Sequence, residues 1–159
     1  MTRMYKNKIV LGIESSCDET SVSVVREKTK YDQEILSNIV NSQEKIHEKF
    51  GGVIPEIAAR SHSMVIDKLI QSALKKAKIN LDEVDAVAAT AGPGLLGGLI
   101  VGVVAAKTLA SVINKPFIAI NHLEGHALSA KLEHKIKYPY LLLLVSGGHT
   151  EFTIIKGFN

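Results

Sequence analysis

The chain contains no tryptophan, a single cysteine, and only four phenylalanines and four tyrosines among 159 residues. A surface that stacks single-stranded bases needs aromatic platforms, so this scarcity argues against that mode of nucleic-acid binding. The lone Cys17 excludes an internal disulfide and fits a reducing compartment. Residues 1–8 lack the apolar stretch of a secretory leader. No long hydrophobic run is unbroken. The most apolar segment, residues 95–112, is interrupted by Gly97, Gly98, Gly102 and Lys107, and reads as a buried helix rather than a membrane span. The expected location is therefore cytoplasmic, with no membrane partner. Neither sign of charge dominates. The balance of 19 basic against 16 acidic residues, net +3, points only weakly to a nucleic-acid partner. The lysines gather at Lys75, Lys76 and Lys78 and at Lys131, Lys135 and Lys137, where they read as solvated helix ends complementing the macrodipole.

What is present is an ordinary globular composition, 46% apolar and 22% charged. A chain of this length buries a core without a disulfide or a structural metal. Residues 8–13 (KIVLGI) form a β-branched strand, followed by a polar turn over 14–20. A second strand covers 21–25, with Val22 and Val24 on one face, and a third covers 35–40, giving an antiparallel meander. Gly51-Gly52 breaks the chain, and Pro55 suits the first turn of a helix running to Lys78, with Ile57, Val65, Leu69, Ala73 and Ala77 at helical spacing. A buried strand over 84–90, a Gly- and Ala-rich helix over 96–113, a strand over 117–120 and a helix over 121–133 follow. Residues 140–145 and 152–156 then form a hairpin. The order predicts a mixed α/β sheet with flanking helices. The closing hairpin repeats the opening one, since Ser16 and Thr20 lie four apart between strands, as do Ser146 and Thr150. That pattern predicts the start of a second, duplicated domain, with residues 1–137 as the first domain and 138–159 as the opening of the next.

Three features carry candidate chemistry. The turns at 14–20 and 146–150 place small residues where backbone N–H groups can cradle an anion, although Gly147-Gly148 is equally at home in a plain hairpin turn. Asp18 and Glu19 offer oxygen ligands for a phosphate-bound cation such as magnesium, or are simply solvated turn carboxylates. Gly92-Pro93-Gly94 opens a helix after a buried strand, a place for anion binding or for close packing. Finally, His122-Leu123-Glu124-Gly125-His126 sets two imidazoles on one helical face, able to reach one metal ion. Spacing alone leaves open that they are two exposed histidines at a helix start. Glu124 lies ~200° around the helix from His122, so it cannot act as the general base of a zinc-protease helix. Two histidines are also fewer than the three protein ligands usual at a catalytic metal. Among the other histidines, His149 is best placed to matter because of its turn, while His47, His62 and His134 read as surface or ordinary helix residues.

Five stretches, residues 12–20, 51–56, 92–94, 122–126 and 145–150, occur in the order seen in the TsaD family, formerly called Gcp or O-sialoglycoprotein endopeptidase, which the chain resembles over nearly its whole length. The resemblance implies an actin/Hsp70-like (ASKHA) fold of two duplicated domains with a nucleotide cleft between them. It also implies transfer of a threonylcarbamoyl group from threonylcarbamoyl-AMP to N6 of adenosine 37 in tRNAs reading codons that start with A. By the same resemblance, His122 and His126 bind one divalent metal, iron in preference to zinc. Val145, Ser146, Gly147, Gly148 and His149 contact the threonylcarbamoyl-adenylate, and Asp18 and Glu19 line the phosphate region as candidate catalytic residues. The implied partners are tRNA and, in bacteria, a TsaB-like paralogue and a TsaE-like ATPase. The competing readings are the older metallo-glycoprotease label and a non-catalytic scaffold of the TsaB kind, which lacks the His-x-Glu-Gly-His helix. Family members are roughly twice as long, and their third metal ligand, an Asp, lies in the C-terminal part. The expectation is thus an N-terminal half with little or no transferase activity alone, prone to self-association through an uncovered apolar face.

Overall fold

A computed structural model describes residues 7–29, 32–134, 136–146 and 150–157. The strands are β1 (Ile9–Glu14), β2 (Glu19–Thr29), β3 (Asp32–Ser42), β4 (Ala86–Gly92), β5 (Phe117–Asn121), β6 (Tyr140–Val145) and β7 (Thr150–Ile155). The helices are α1 (Glu44–His47), α2 (Pro55–Ala77), α3 (Leu96–Val112) and α4 (His122–Glu133). The chain divides into two compact units, Met1–His122 and Leu123–Asn159.

In the first unit five strands form one mixed sheet in the order β3-β2-β1-β4-β5. The expected meander is there: β1 pairs antiparallel with β2, and β2 with β3. β1 then runs parallel to β4, and β4 to β5, as strand–helix–strand crossovers require. Alternation along β1 turns Ile9, Leu11 and Ile13 to the core. Val22 and Val24 of β2 join them, both fully buried, as their alternation predicts. Ile66 and Ile70 of α2 and Ala106 and Ala110 of α3 complete this core.

Two features differ from the sequence reading. β2 and β3 run well beyond the apolar residues that announce them, into a charged ribbon where Glu34 pairs with Arg26 and Lys28. Hydrophobic alternation cannot reveal strands held by ladder hydrogen bonds and surface charge. The buried line of α2 is Ala58, His62, Ile66, Ile70 and Ala73, so of the predicted apolar positions Ala73 lies on it while Ile57, Val65, Leu69 and Ala77 flank it. The cause is His62, a polar residue occupying the middle of the core face. Lys75 and Lys76 do sit in the last turn of α2, and Lys131 in the last turn of α4, as helix-end cations should.

α3 lies unusually close to the end of β1. A Cβ on Gly98 would meet the carbonyl oxygen of Ser15, and one on Gly102 would meet the Ser15 hydroxyl. A Cβ on Gly97 would lie 3.0 Å from that of Ala59 of α2, tighter than ordinary contact. In the second unit, β6 and β7 form an antiparallel hairpin with Leu141 opposite Ile154 and Leu143 opposite Phe152. No helix of the described residues is long and apolar enough to cross a membrane.

Replacing Gly98 by Ala should destabilise the fold by about 1–3 kcal/mol through overpacking, more than the ~1 kcal/mol that alanine gains in helix propensity. Gly52 has open space around it, so Gly52→Ala should stay within about 0.5 kcal/mol. Urea unfolding of the two variants compares them directly, and equal midpoints would refute the close-packing account.

Candidate active site at the strand ends

Parallel strands end together, and α/β folds bind ligands beyond those carboxyl ends. Here β1 ends in Glu14, β4 passes through Thr90 near its end, and β5 runs straight into His122. Their side chains meet. One Glu14 oxygen, Oε1, accepts the Ser16 N–H at 2.5 Å, while Oε2 accepts the Thr90 hydroxyl and lies 3.5 Å from Nδ1 of His122. Ser16 Oγ is 3.2 Å from the same Nδ1. Burial works to raise the pKa of Glu14, but the hydrogen bonds from Ser16 and Thr90 and the His122 ring outweigh it, so the net direction is down. Glu14 is therefore an ionised carboxylate facing an imidazole. A histidine backed in this way through Nδ1 presents Nε2 as its metal-binding nitrogen.

The 15–18 turn is fastened from several sides. Ser15 donates its hydroxyl to the Gly98 carbonyl at 2.9 Å, and the Leu95 N–H donates to the Ser16 carbonyl at 2.7 Å. The Gln43 N–H donates to the Asp18 carbonyl at 3.0 Å. A Cβ on Gly94 would stand 2.8 Å from Ser16, so the Gly92-Pro93-Gly94 segment serves close packing here. Asp18 is half-exposed and Glu19, which opens β2, is exposed. Cys17 is exposed too, but partial burial of its sulfur and the neighbouring Asp18 push the thiol pKa up, away from a reactive thiolate.

Of the predicted metal pair, His122 joins this cluster, and His126 follows four residues later on α4, in the second unit. Glu124 stands between them on the same helix, at the two-residue offset that denies it the general-base position. The donor chemistry suits a first-row transition metal, because imidazole with carboxylate backing is a common ligand for zinc and iron. Among the described residues no group of three His, Cys, Asp or Glu side chains is arranged to hold a metal ion. Val145 ends β6 and Ser146 follows it, while Gly147, Gly148 and His149 lie outside the described residues.

The sequence profile of the TsaD family, tRNA N6-adenosine threonylcarbamoyltransferase, matches residues 34–159. The chain belongs to the TsaD family. Relatives of that name include one from Bartonella bacilliformis, 58% identical over 148 residues, which covers 93% of this chain and 41% of the relative. One from Rickettsia bellii is 59% identical over 150 residues, 94% of this chain and 43% of the relative. The chain thus spans about two fifths of the length of the curated relatives it matches. Among solved structures, YeaZ from Pseudomonas aeruginosa superposes with a TM-score of 0.59 at 18% identity, covering 92% of this chain and 64% of that one. The PPX-GPPA enzyme of Aquifex aeolicus gives 0.55 at 14% identity, covering 97% and 50%. These likenesses speak to fold alone, and the fold is the actin-like α/β arrangement expected of the TsaD family.

Four residues in or behind this TsaD-family site escaped the sequence reading. Glu14 was part of a polar turn, yet a carboxylate closing the apolar KIVLGI strand is a detectable signal. Thr90, at the end of a buried strand, carried no signal. His47 and His62 read as surface or ordinary helix residues, but they are 4% and 0% exposed. Hydrogen-bond partners satisfy both rings, from Gln43 and Ile54 close in sequence for His47 and from Cys17, Thr20 and Gln43 for His62. His134 is exposed, as expected.

Burial holds the pKa of His62 below its ordinary 6.5, against the opposing pull of the Cys17 carbonyl, Glu14 and Asp18, with His47 adding to the depression. The unfolded chain then binds the extra proton first. The contribution of His62 to stability is complete above about pH 6.5 and is lost as pH falls towards the folded-state pKa. Denaturant unfolding between about pH 5 and 8 should show this decline, and the non-titrating His62→Gln should flatten it. An unchanged slope in the variant would assign the decline to other groups.

Proposed function

We propose that this chain supplies part of a threonylcarbamoyl-transfer site. The N6 amine of adenosine 37, in tRNAs that read codons beginning with A, attacks the carbonyl carbon of threonylcarbamoyl-AMP. The new C–N bond replaces the bond from that carbon to the phosphate oxygen, AMP leaves, and N6 gives up one proton. The observation that carries this reading is the Glu14–Ser16–His122 cluster at the strand ends of a TsaD-family chain.

In this reading His122 and His126 hold one divalent metal, iron in preference to zinc, with Glu14 and Ser16 keeping His122 in the tautomer that presents Nε2. The bound metal supplies polarisation of the carbonyl, or a hold on the carboxylate and hydroxyl of the threonyl group. Asp18 and Glu19, turned outward from the fastened turn, face the phosphate region and a magnesium ion there. Val145, Ser146, Gly147, Gly148 and His149 are assigned to the acyl-adenylate, within a second duplicated domain that opens near residue 138. A tRNA substrate places the work in the cytoplasm. The metallo-glycoprotease alternative lacks a general base, since Glu124 is offset from the required position. A purely scaffolding role leaves the His-x-Glu-Gly-His helix without a purpose.

A TsaB-like paralogue is the partner we assign to α3. That helix is apolar on two sides: Gly98, Gly102 and Ala106 press on the sheet, while Leu96, Ile100 and Val104 are 73%, 52% and 56% exposed in a row four residues apart. Such a stripe calls for a cover. The likeness to YeaZ supports a partner built on the same fold. Without that cover the same stripe favours self-association, and a TsaE-like ATPase completes the bacterial set.

A full-length family protein carrying this chain as its N-terminal part should form threonylcarbamoyl-adenosine from unmodified tRNA, threonine, bicarbonate and ATP in the presence of its partners. Sialoglycoprotein cleavage without the modified nucleoside would overturn the reading. Glu14→Gln should lower both metal affinity and transfer by about 10–100-fold, as loss of a partner behind a metal-bound histidine does. His122→Ala should lower metal content, and equal content would remove its ligand role. In the same protein Ile100→Asp should weaken binding of the TsaB-like paralogue at least about tenfold by titration calorimetry while leaving the melting temperature unchanged. Undiminished binding would move the interface elsewhere.

A further inference from the structure

Nothing in the transfer chemistry uses His62, although it is fully buried in the centre of the core face of α2. Its ring is tied at both nitrogens. Nε2 lies 3.2 Å from the carbonyl oxygen of Cys17, which can only accept, so Nε2 carries the proton and donates it. Nδ1 must then accept, and it has two donors, Thr20 Oγ1 at 2.7 Å and Gln43 Nε2 at 3.2 Å.

That assignment orders the next residues without freedom. Gln43 Nε2 also faces the Ala58 carbonyl at 3.4 Å, so its Oε1 turns to His47 and accepts from Nε2 of that ring at 3.1 Å. His47 Nδ1 in turn accepts the Ile54 N–H at 3.3 Å. The hydrogen bonds therefore run one way, from Ile54 through His47, Gln43 and His62 to the Cys17 carbonyl. Gln43 adds a second tie, since its backbone N–H holds the Asp18 carbonyl. On the other side of the ring α3 closes the gap, with a Cβ on Gly98 falling 3.1 Å from Nε2.

We propose that His62, oriented by Gln43 and His47, is a positioning residue that sets the 15–18 turn and thereby aims Asp18 and holds Ser16 against His122. The assignment of a catalytic purpose to that turn rests on the transfer reading above. An apolar side chain of similar size would fill the space but leave the Cys17 carbonyl and the Gln43 amide without their partner. A fully satisfied buried polar chain instead specifies one arrangement.

The test uses this chain, with ¹⁵N-labelled histidine and backbone. The His62 ring should show the Nε2–H tautomer, and an Nδ1–H tautomer would overturn the proposal. In His62→Leu, amide exchange at residues 16–19 should quicken about tenfold or more, with the β1 and β4 amides unchanged. His62→Gln, whose amide N–H reaches the Nε2 position, should restore protection to within about threefold. Unchanged turn exchange in His62→Leu, or equal loosening of the whole sheet, would make His62 an ordinary core residue. Should His62→Leu fail to fold, the wild-type tautomer and the His62→Gln exchange decide. The transfer assay is independent: a protected turn with no modified nucleoside formed removes the transferase reading and leaves the positioning role standing.

Discussion

The first two turns of α3 lie so near the end of β1 that the helix can carry no Cβ at Gly98 or Gly102, and the geometry of the strand-end cluster follows from that contact. Gly98 and Gly102 let the helix backbone come down on Ser15, and Gly94 lets the preceding loop come down on Ser16. Once this close, Ser15 Oγ and Leu95 N find backbone partners across the gap, and the turn is held by groups that would otherwise need water. Any larger residue at these glycines would lift the helix and release the turn. The poor packing value of glycine in a helix is accepted here because proximity matters more.

With the turn held, Ser16 can donate its N–H to Glu14 while its hydroxyl oxygen lies against Nδ1 of His122. A carboxylate at the end of a strand would ordinarily sit in water. Glu14 is instead drawn into a set of groups contributed by the turn after β1, by β4 and by the start of α4, and the hydrogen bonds of Ser16 and Thr90 with the charge interaction of His122 outweigh the cost of its partial burial. The arrangement resembles the backing that proteins give to metal-bound histidines, where the second nitrogen fixes both tautomer and ring direction. His62 repeats the logic on the opposite side of the turn, with a carbonyl as the anchor in place of a carboxylate.

Much of this was legible beforehand. Period-two alternation located β1 and β2, and Pro55 and the Gly-rich run located α2 and α3, because those signals are local. The five ordered motifs identified the family for the same reason. What stayed hidden depended on partners far away in the chain. Glu14 and Thr90 are 76 residues apart, Ser16 and His122 are 106 apart, and His62 reaches back 45 residues to Cys17. A histidine in the middle of a helix reads as surface unless one knows that three other segments supply its partners.

The amino-acid sequence by itself determined the seven strands, the three long helices and their order, though not the short α1, and also the family and the placing of two histidines four apart on one helix. Each of these follows from spacing along a single segment. Only the tertiary structure decided which residues stand behind that pair. Strand pairing brings the ends of β1, β4 and β5 side by side, and the close seat of α3 turns a polar loop into a rigid one. Hydrogen bonds depend on distances and directions in space, which linear spacing does not carry beyond one helix or strand.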